Sequence, residues 1–188
     1  VELRVQTDLG CKSKFTSSVI VHELPVADFT ANPVCEGAKT EFSNLSYISD
    51  NSQLRYRWDY MSDGWDDSSF TSAITPFTYA NSGGHIFRLQ AISDKGCRDQ
   101  KTATVLVHAN PIAGFATTKM CVGDKIFFSS LSTSGDGSIT AHVWDFNGDN
   151  IADRNDPEPS YSFTLSGEYQ ARLTVNTQYG CSDSKTRM

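Results

Sequence analysis

The chain has 188 residues, 38% of them hydrophobic and 20% charged, with a formal net charge of -6 and a pI near 5.1. This balance suits folded modules with thin cores and excludes a disordered tail. The 16 Lys and Arg are scattered and form no basic stripe, which argues against nucleic acid as a partner, and no apolar run reaches the ~20 residues of a membrane helix.

In chain order, Val1, Leu3 and Val5 alternate with polar residues, the period-two pattern of a strand with one buried face. Gly10-Cys11 follows, then a strand-like exit through Val19-Ile20-Val21-His22 to Pro25. Pro25-Val26-Ala27-Asp28-Phe29 returns as Pro111-Ile112-Ala113-Gly114-Phe115, a shift of 86 residues. The same shift carries Cys35-Glu36-Gly37 onto Cys121-Val122-Gly123, Phe42-Ser43 onto Phe128-Ser129, and Trp58-Asp59-Tyr60 onto Trp144-Asp145-Phe146. Beyond the Trp-Asp pair the shift is 84, matching Ser82-Gly83 to Ser166-Gly167, Arg88-Leu89 to Arg172-Leu173 and Gly96-Cys97 to Gly180-Cys181. The length difference falls in the loop after Trp58 and Trp144, where β modules tolerate insertions.

Gly10-Cys11 precedes Gly96-Cys97 by 86 residues, and Val19 to Pro25 parallels Thr104 to Pro111. Residues 1–24 therefore read as the last strands of a preceding module, with any export signal lying upstream. Residues 25–109 read as a complete module, and residues 110–188 as a module lacking its complete final strand. Phe87, Leu89 and Ala91, and Tyr169 to Val175, alternate as Val1 to Val5 do, placing Arg88, Gln90, Arg172 and Thr174 on the wet face. About seven short strands per ~85 residues predict an all-β chain of tandem immunoglobulin-like sandwiches. Trp58 and Trp144 are expected in their cores.

The loop after Trp144 carries the sharpest chemical signal. Counting from Asp145, oxygen side chains fall at Asp145, Asn147, Asp149, Asp153 and Asp156, with the Ile151 carbonyl between, the spacing of a calcium loop. Calcium is thus the one cofactor expected. Asn150 stands where such loops carry Gly, and Asp156 where they carry Glu; the alternative is a polar turn. Asp59, Asp63, Asp66 and Asp67 make a poorer version in the first module, where Met61 interrupts the set.

Catalytic patterns are absent: no Gly-x-Ser-x-Gly, phosphate loop or metalloprotease helix occurs. The acid pairs Asp66-Asp67 and Asp156 with Glu158 read as solvated loop carboxylates rather than a hydrolase pair. Of His22, His85, His108 and His142, the first and third occupy equivalent intermodule positions and are expected to serve the junction. Trp65 is the candidate ligand contact, a loop aromatic that stacks on a sugar or docks a partner, or else packs its own loop. Asn44-Leu45-Ser46 satisfies the N-glycosylation sequon.

Cys121-Val122-Gly123, Phe127-Phe128-Ser129, Trp144-Asp145-Phe146 and Ser166-Gly167-Glu168-Tyr169 together resemble the PKD (polycystin-type) domain, an immunoglobulin-like sandwich. Asn147-Gly148-Asp149-Asn150 replaces the family's shorter Gly-Asp-Gly. The pairing of Cys-x-Gly with a later Gly-Cys-x-Asp resembles the variant found in large exported proteins of the Bacteroidetes, including gliding-motility adhesins of the type IX secretion route. Within that picture Cys35 with Cys97 and Cys121 with Cys181 are expected as intramodule disulfides closing loops of ~60 residues, which chain-entropy reasoning values at about 4 kcal/mol each. Reduced buried cysteines are the alternative, because in such a sandwich the two positions can lie at opposite ends. Cys11 is left over.

The resemblance implies a non-catalytic stalk or adhesive region, extracellular or at the cell surface. Its expected partners are other modules of the same chain, with a surface polysaccharide or protein ligand as further candidates. The competing expectation is an accessory polymer-binding module of a secreted hydrolase such as a chitinase or protease.

Overall fold

The computed structural model describes residues 1–65, 75–118 and 121–188. Among the described residues every regular element is a strand, and no helix is long and apolar enough to cross a membrane. Strands β1 (Glu2–Gln6) and β2 (Lys12–Thr16) form an antiparallel hairpin with Leu3 opposite Phe15. All of its residues are exposed, Val1, Leu3 and Val5 included. The expected buried face thus has no second sheet of described residues against it.

The first sandwich pairs β3 (Phe29–Ala31) with β6 (Phe42–Asn44), and β5 (Lys39–Thr40) with β8 (Phe77–Thr78). Its other sheet runs β4 (Val34–Cys35), β10 (Arg98–His108), β9 (Gly83–Ser93), β7 (Leu54–Asp59). The chain changes sheets between β3 and β4, and β4 then lies parallel to the end of β10, with Cys35 opposite His108. Period two holds along β9, where Phe87, Leu89 and Ala91 are fully buried. They meet Phe29, Phe42, Trp58, Tyr60, Val105 and Val107 in one cluster, with Phe42 stacked on Phe87 at 4.2 Å.

The second sandwich repeats the plan with β11 (Phe115–Thr117), β12 (Ile126–Ser130) and β14 (Ser160–Tyr161) in one sheet. The other holds β13 (Ile139–Asp145), β15 (Ala171–Thr177) and β16 (Ser182–Arg187). Its separate core gathers Phe115, Phe128, Trp144, Phe146, Leu173 and Val175. Both Trp58 and Trp144 have no exposed surface. A fully buried aromatic of this size anchors most of a thin core, since each removes on the order of 150–250 Å² from water.

Two arginines assigned to the wet face are partly covered. Arg88 reaches across the sheet to the fully buried carboxylate of Asp59, and Arg172 lies 3.4 Å from Asp145 at the matching place. A carboxylate following the core Trp is taken out of water in both sandwiches, and burial of a charge requires such partners.

Candidate functional site: the junction between the two sandwiches

Strand register builds the first half of the junction. Because β4 runs beside the end of β10, Cys35 and His108 reach the same pole, the one where the chain leaves the first sandwich. The Glu36 amide donates to the His108 carbonyl at 2.8 Å and Asn110 Nδ2 donates to the Glu36 carbonyl at 3.0 Å. Gly37, at φ 78°, turns the chain back, with the Ala38 amide bonded to the Cys35 carbonyl.

The second half is the β15–β16 hairpin. Its turn is closed by Thr177 and Cys181, whose backbone groups bond at 2.8 Å, and by the Thr177 hydroxyl, which accepts from the Cys181 amide at 3.2 Å. This holds Cys181 against the first sandwich. Cys35 and Cys181 are joined by a disulfide, with a Cα–Cα distance of 5.5 Å and a sequence separation of 146. Cys11, Cys97 and Cys121 are free thiols.

This corrects the expected pairing of Cys35 with Cys97 and Cys121 with Cys181. Cys97 precedes β10 and Cys35 lies beside its end, so the whole strand separates them. At ~3.4 Å per residue, that is roughly 35 Å, whereas a disulfide needs Cα atoms within about 7 Å. The same hairpin geometry removes Cys181 from Cys121.

Around the disulfide the interface is closely packed. His108, 6% exposed, stacks on Tyr179 at 3.7 Å between ring centroids, and its Nδ1 lies 3.0 Å from Asp136 Oδ2. Asp136 sits between Gly135 and Gly137, both in the left-handed region. A Cβ on Gly137 would lie 2.6 Å from the Tyr179 ring, and one on Gly135 would meet the Asn110 carbonyl. Close approach and backbone conformation together restrict both positions to Gly. The expected junction role of His108 is therefore seen in its contacts. Upstream, Asp50 stands at the position equivalent to Asp136, and its carboxyl is held below the usual range by the Ser52 amide and hydroxyl, with the charge of His22 adding to the lowering.

The sequence signal for this site was the shared spacing of His22 and His108 and of the Gly-Cys pairs. Tyr179, Asp136 and Asn110 were missed; Asp136 was findable as the 86-residue image of Asp50.

The calcium candidates lie elsewhere, in the excursion after β13. Bonds of Trp144 to Arg154 and Asp153 close this loop. Asp145 is 4% exposed, and its two oxygens accept the amides of Gly148 at 2.7 Å and Asn150 at 3.0 Å. Asp153 accepts from the Phe146 amide, Asp149 from the Ile151 amide and from Asn147 Nδ2, while the Asp156 carbonyl takes the Trp144 indole. Asn150 adopts φ 67°, the conformation expected of it in place of Gly. Side-chain oxygens of Asp145, Asn147, Asp149 and Asp153 each accept backbone amides of this loop, and among the described residues no group of three or more His, Cys, Asp or Glu is placed to hold a metal ion. As placed, these side chains form a hydrogen-bonded polar turn.

Trp65 is half-buried, with the guanidinium carbons of Arg57 and Arg88 at 5.6 and 5.3 Å from its ring centroid. Its ring thus lies beside the Arg88 guanidinium that pairs with Asp59. Asp66 and Asp67 lie outside the described residues. Glu158 accepts a long hydrogen bond from Ser129, and Asn44 Oδ1 accepts the Ser46 amide within the sequon. His142 is partly buried, which pushes its pKa below the usual histidine value.

Among solved structures, the chain is similar to the PKD1 domain of Vibrio anguillarum Epp, at 28% identity and a TM-score of 0.37, over 42% of this chain and 88% of that one. It is similar to the PKD1 domain of the Vibrio cholerae metalloprotease PrtV at 29% identity and a TM-score of 0.37, over 42% and 91%. Clostridium thermocellum CbhA fibronectin(III)-like modules align at 12% identity and a TM-score of 0.42, over 87% and 91%. At the level of sequence families, residues 108–188, which make up the second sandwich with its entry from the junction, match the PKD domain.

Proposed function

We propose that this chain is a stretch of serial, non-catalytic PKD-type modules in a large exported surface protein, serving as a spacer that holds its junctions fixed under tension. The observation that carries the reading is the Cys35–Cys181 bond placed across the junction. A disulfide of this kind fits an oxidising, extracellular setting. The finer context we propose is an attachment or gliding adhesin of Bacteroidetes type sent out by the type IX route. The exposed apolar residues of the β1–β2 hairpin, Leu3, Val5 and Phe15, support reading residues 1–24 as strands of a preceding module whose second sheet covers them. Trp65, the aromatic candidate for polymer contact, is occupied by two arginines, which favours the spacer over the polymer-binding alternative.

The spacer reading has a mechanical consequence. Pulling on the chain ends loads Cys35 and Cys181 directly, and the residues between them are bypassed. Single-molecule stretching is expected to show little extension beyond the short flanks while the disulfide is intact. With a reductant the segment hidden by the sequence separation of 146 adds about 500 Å of contour at ~3.4 Å per residue. Equal extension with and without reductant contradicts the proposal.

A further inference from the structure

We infer that Cys121 is the acceptor of a second intermodule disulfide, from the Gly-Cys turn of a following repeat, and that the adjoining apolar groove takes the strand leading to that repeat. This rests on the serial-module reading above.

The structure contains two kinds of cysteine turn, each repeated. Cys11, Cys97 and Cys181 end the same hairpin turn: Thr7, Ser93 and Thr177 each donate their amide to the cysteine carbonyl at 2.8–2.9 Å, and each side-chain oxygen accepts the cysteine amide at 3.2 Å. Cys35 and Cys121 begin the other turn. Their carbonyls accept from Ala38 and Asp124, and Gly37 and Gly123, at φ 78° and 85°, donate to Tyr79 and Phe163 at 3.1 and 3.0 Å. The bond present joins the second kind in one sandwich to the first kind in the next. By the same rule Cys121 takes a hairpin cysteine from the module that follows, and Cys97 and Cys11 are hairpin cysteines for acceptors that precede.

The second observation is independent of the cysteines. Beside Cys121 lies an open groove of about 940 Å³ lined by Phe115, Ile126, Phe128, Phe163 and Tyr169. Counterparts of its lining in the first sandwich, Phe29, Phe42, Tyr79 and Phe87, are clustered with Val105 and Val107 of β10. Those valines are 3% and 1% exposed, and their strand continues through His108 into the junction. The occupant fitting the groove is therefore a strand equivalent to Val105–His108, and its continuation carries the partner module to Cys121.

The bond forms by thiol–disulfide exchange with a small-molecule disulfide, such as oxidised glutathione. The Cys121 thiolate attacks one donor sulfur and releases one thiolate. The hairpin cysteine's thiolate then attacks the mixed disulfide at Cys121 and releases the second. Two protein thiols are oxidised, one donor disulfide is reduced to two thiols, and the two cysteine protons pass to the departing thiolates.

The test extends the chain after Met188 with a copy of residues 105–188, carrying Cys121→Ser and Ser182→Thr in the copy so that its peptides are distinguishable. After refolding in a glutathione buffer, non-reducing peptide mapping is expected to find Cys121 bonded to the copy's Cys181, with Cys35–Cys181 retained and Cys97 alkylatable. Hydrogen exchange in the copied Leu173–Val175 segment reports whether the added repeat has folded. A protected copy with a free Cys121, or Cys121 bonded to Cys97, overturns the inference. A second extension, by a copy of residues 19–109, presents the copy's Cys97 instead; failure of both copies to fold also overturns it, because the groove then accepts no connecting strand. A catalytic or ligand-binding role of the parent protein would sink the spacer reading and leave this mapping unchanged.

Discussion

Trp144 carries more of the second core than any other side chain, with its ring fully buried and its indole nitrogen bonded to the Asp156 carbonyl at 2.8 Å. Trp144→Ala is expected to cost about 3–5 kcal/mol, as aromatic truncations in cores do, read as loss of the second sandwich's melting transition while the first persists. His142 sets a pH dependence. Its folded-state pKa lies below the unfolded value because burial disfavours the charged ring, so the unfolded chain binds more protons in that window. Stability is accordingly full above the unfolded pKa near 6.5 and declines as pH falls below it toward the folded value. Melts of wild type and His142→Gln between pH 7.5 and 5 are expected to diverge, with the variant showing the flatter profile.

At the scale of elements, the loop from Asp145 to Asp156 and the β15–β16 hairpin show how differently two turns expose their chemistry to sequence reading. Strand identity was legible: alternation at Phe87–Leu89–Ala91 and at Leu173–Val175 follows from the period of the pleat. The loop's oxygen spacing was equally visible, but spacing does not say whether a carboxylate faces an ion or an amide. Here Asp145 bonds two amides of its own turn. Melts at millimolar calcium test the loop directly, because a bound ion raises the melting temperature by linkage and an unshifted melt removes the site. Asp145→Ala is expected to cost about 1–3 kcal/mol in the absence of calcium, the magnitude of leaving buried donors unsatisfied. In the junction, Gly137→Ala forces a left-handed alanine against Tyr179, worth about 1–2 kcal/mol from the backbone alone, and is read in the same melts.

For the whole molecule, the repeat arithmetic made the two cores legible, because Cys-x-Gly, Trp-Asp and Gly-Cys recur in register. Cysteine connectivity was not, since it depends on which pole of a sandwich each turn occupies. The change of sheets between β3 and β4 puts Cys35 at the exit pole, and the length of β10 puts Cys97 at the other. Only the three-dimensional path shows that one module's exit faces the next module's hairpin, where His108, Tyr179 and Asp136 close around the bond. The fixed junction is the central claim, and it is tested most directly by non-reducing peptide mapping of the 188-residue chain after alkylation of free thiols. The predicted result is a Cys35–Cys181 cross-link with Cys11, Cys97 and Cys121 alkylated; Cys35 linked to Cys97, or Cys121 to Cys181, would contradict it.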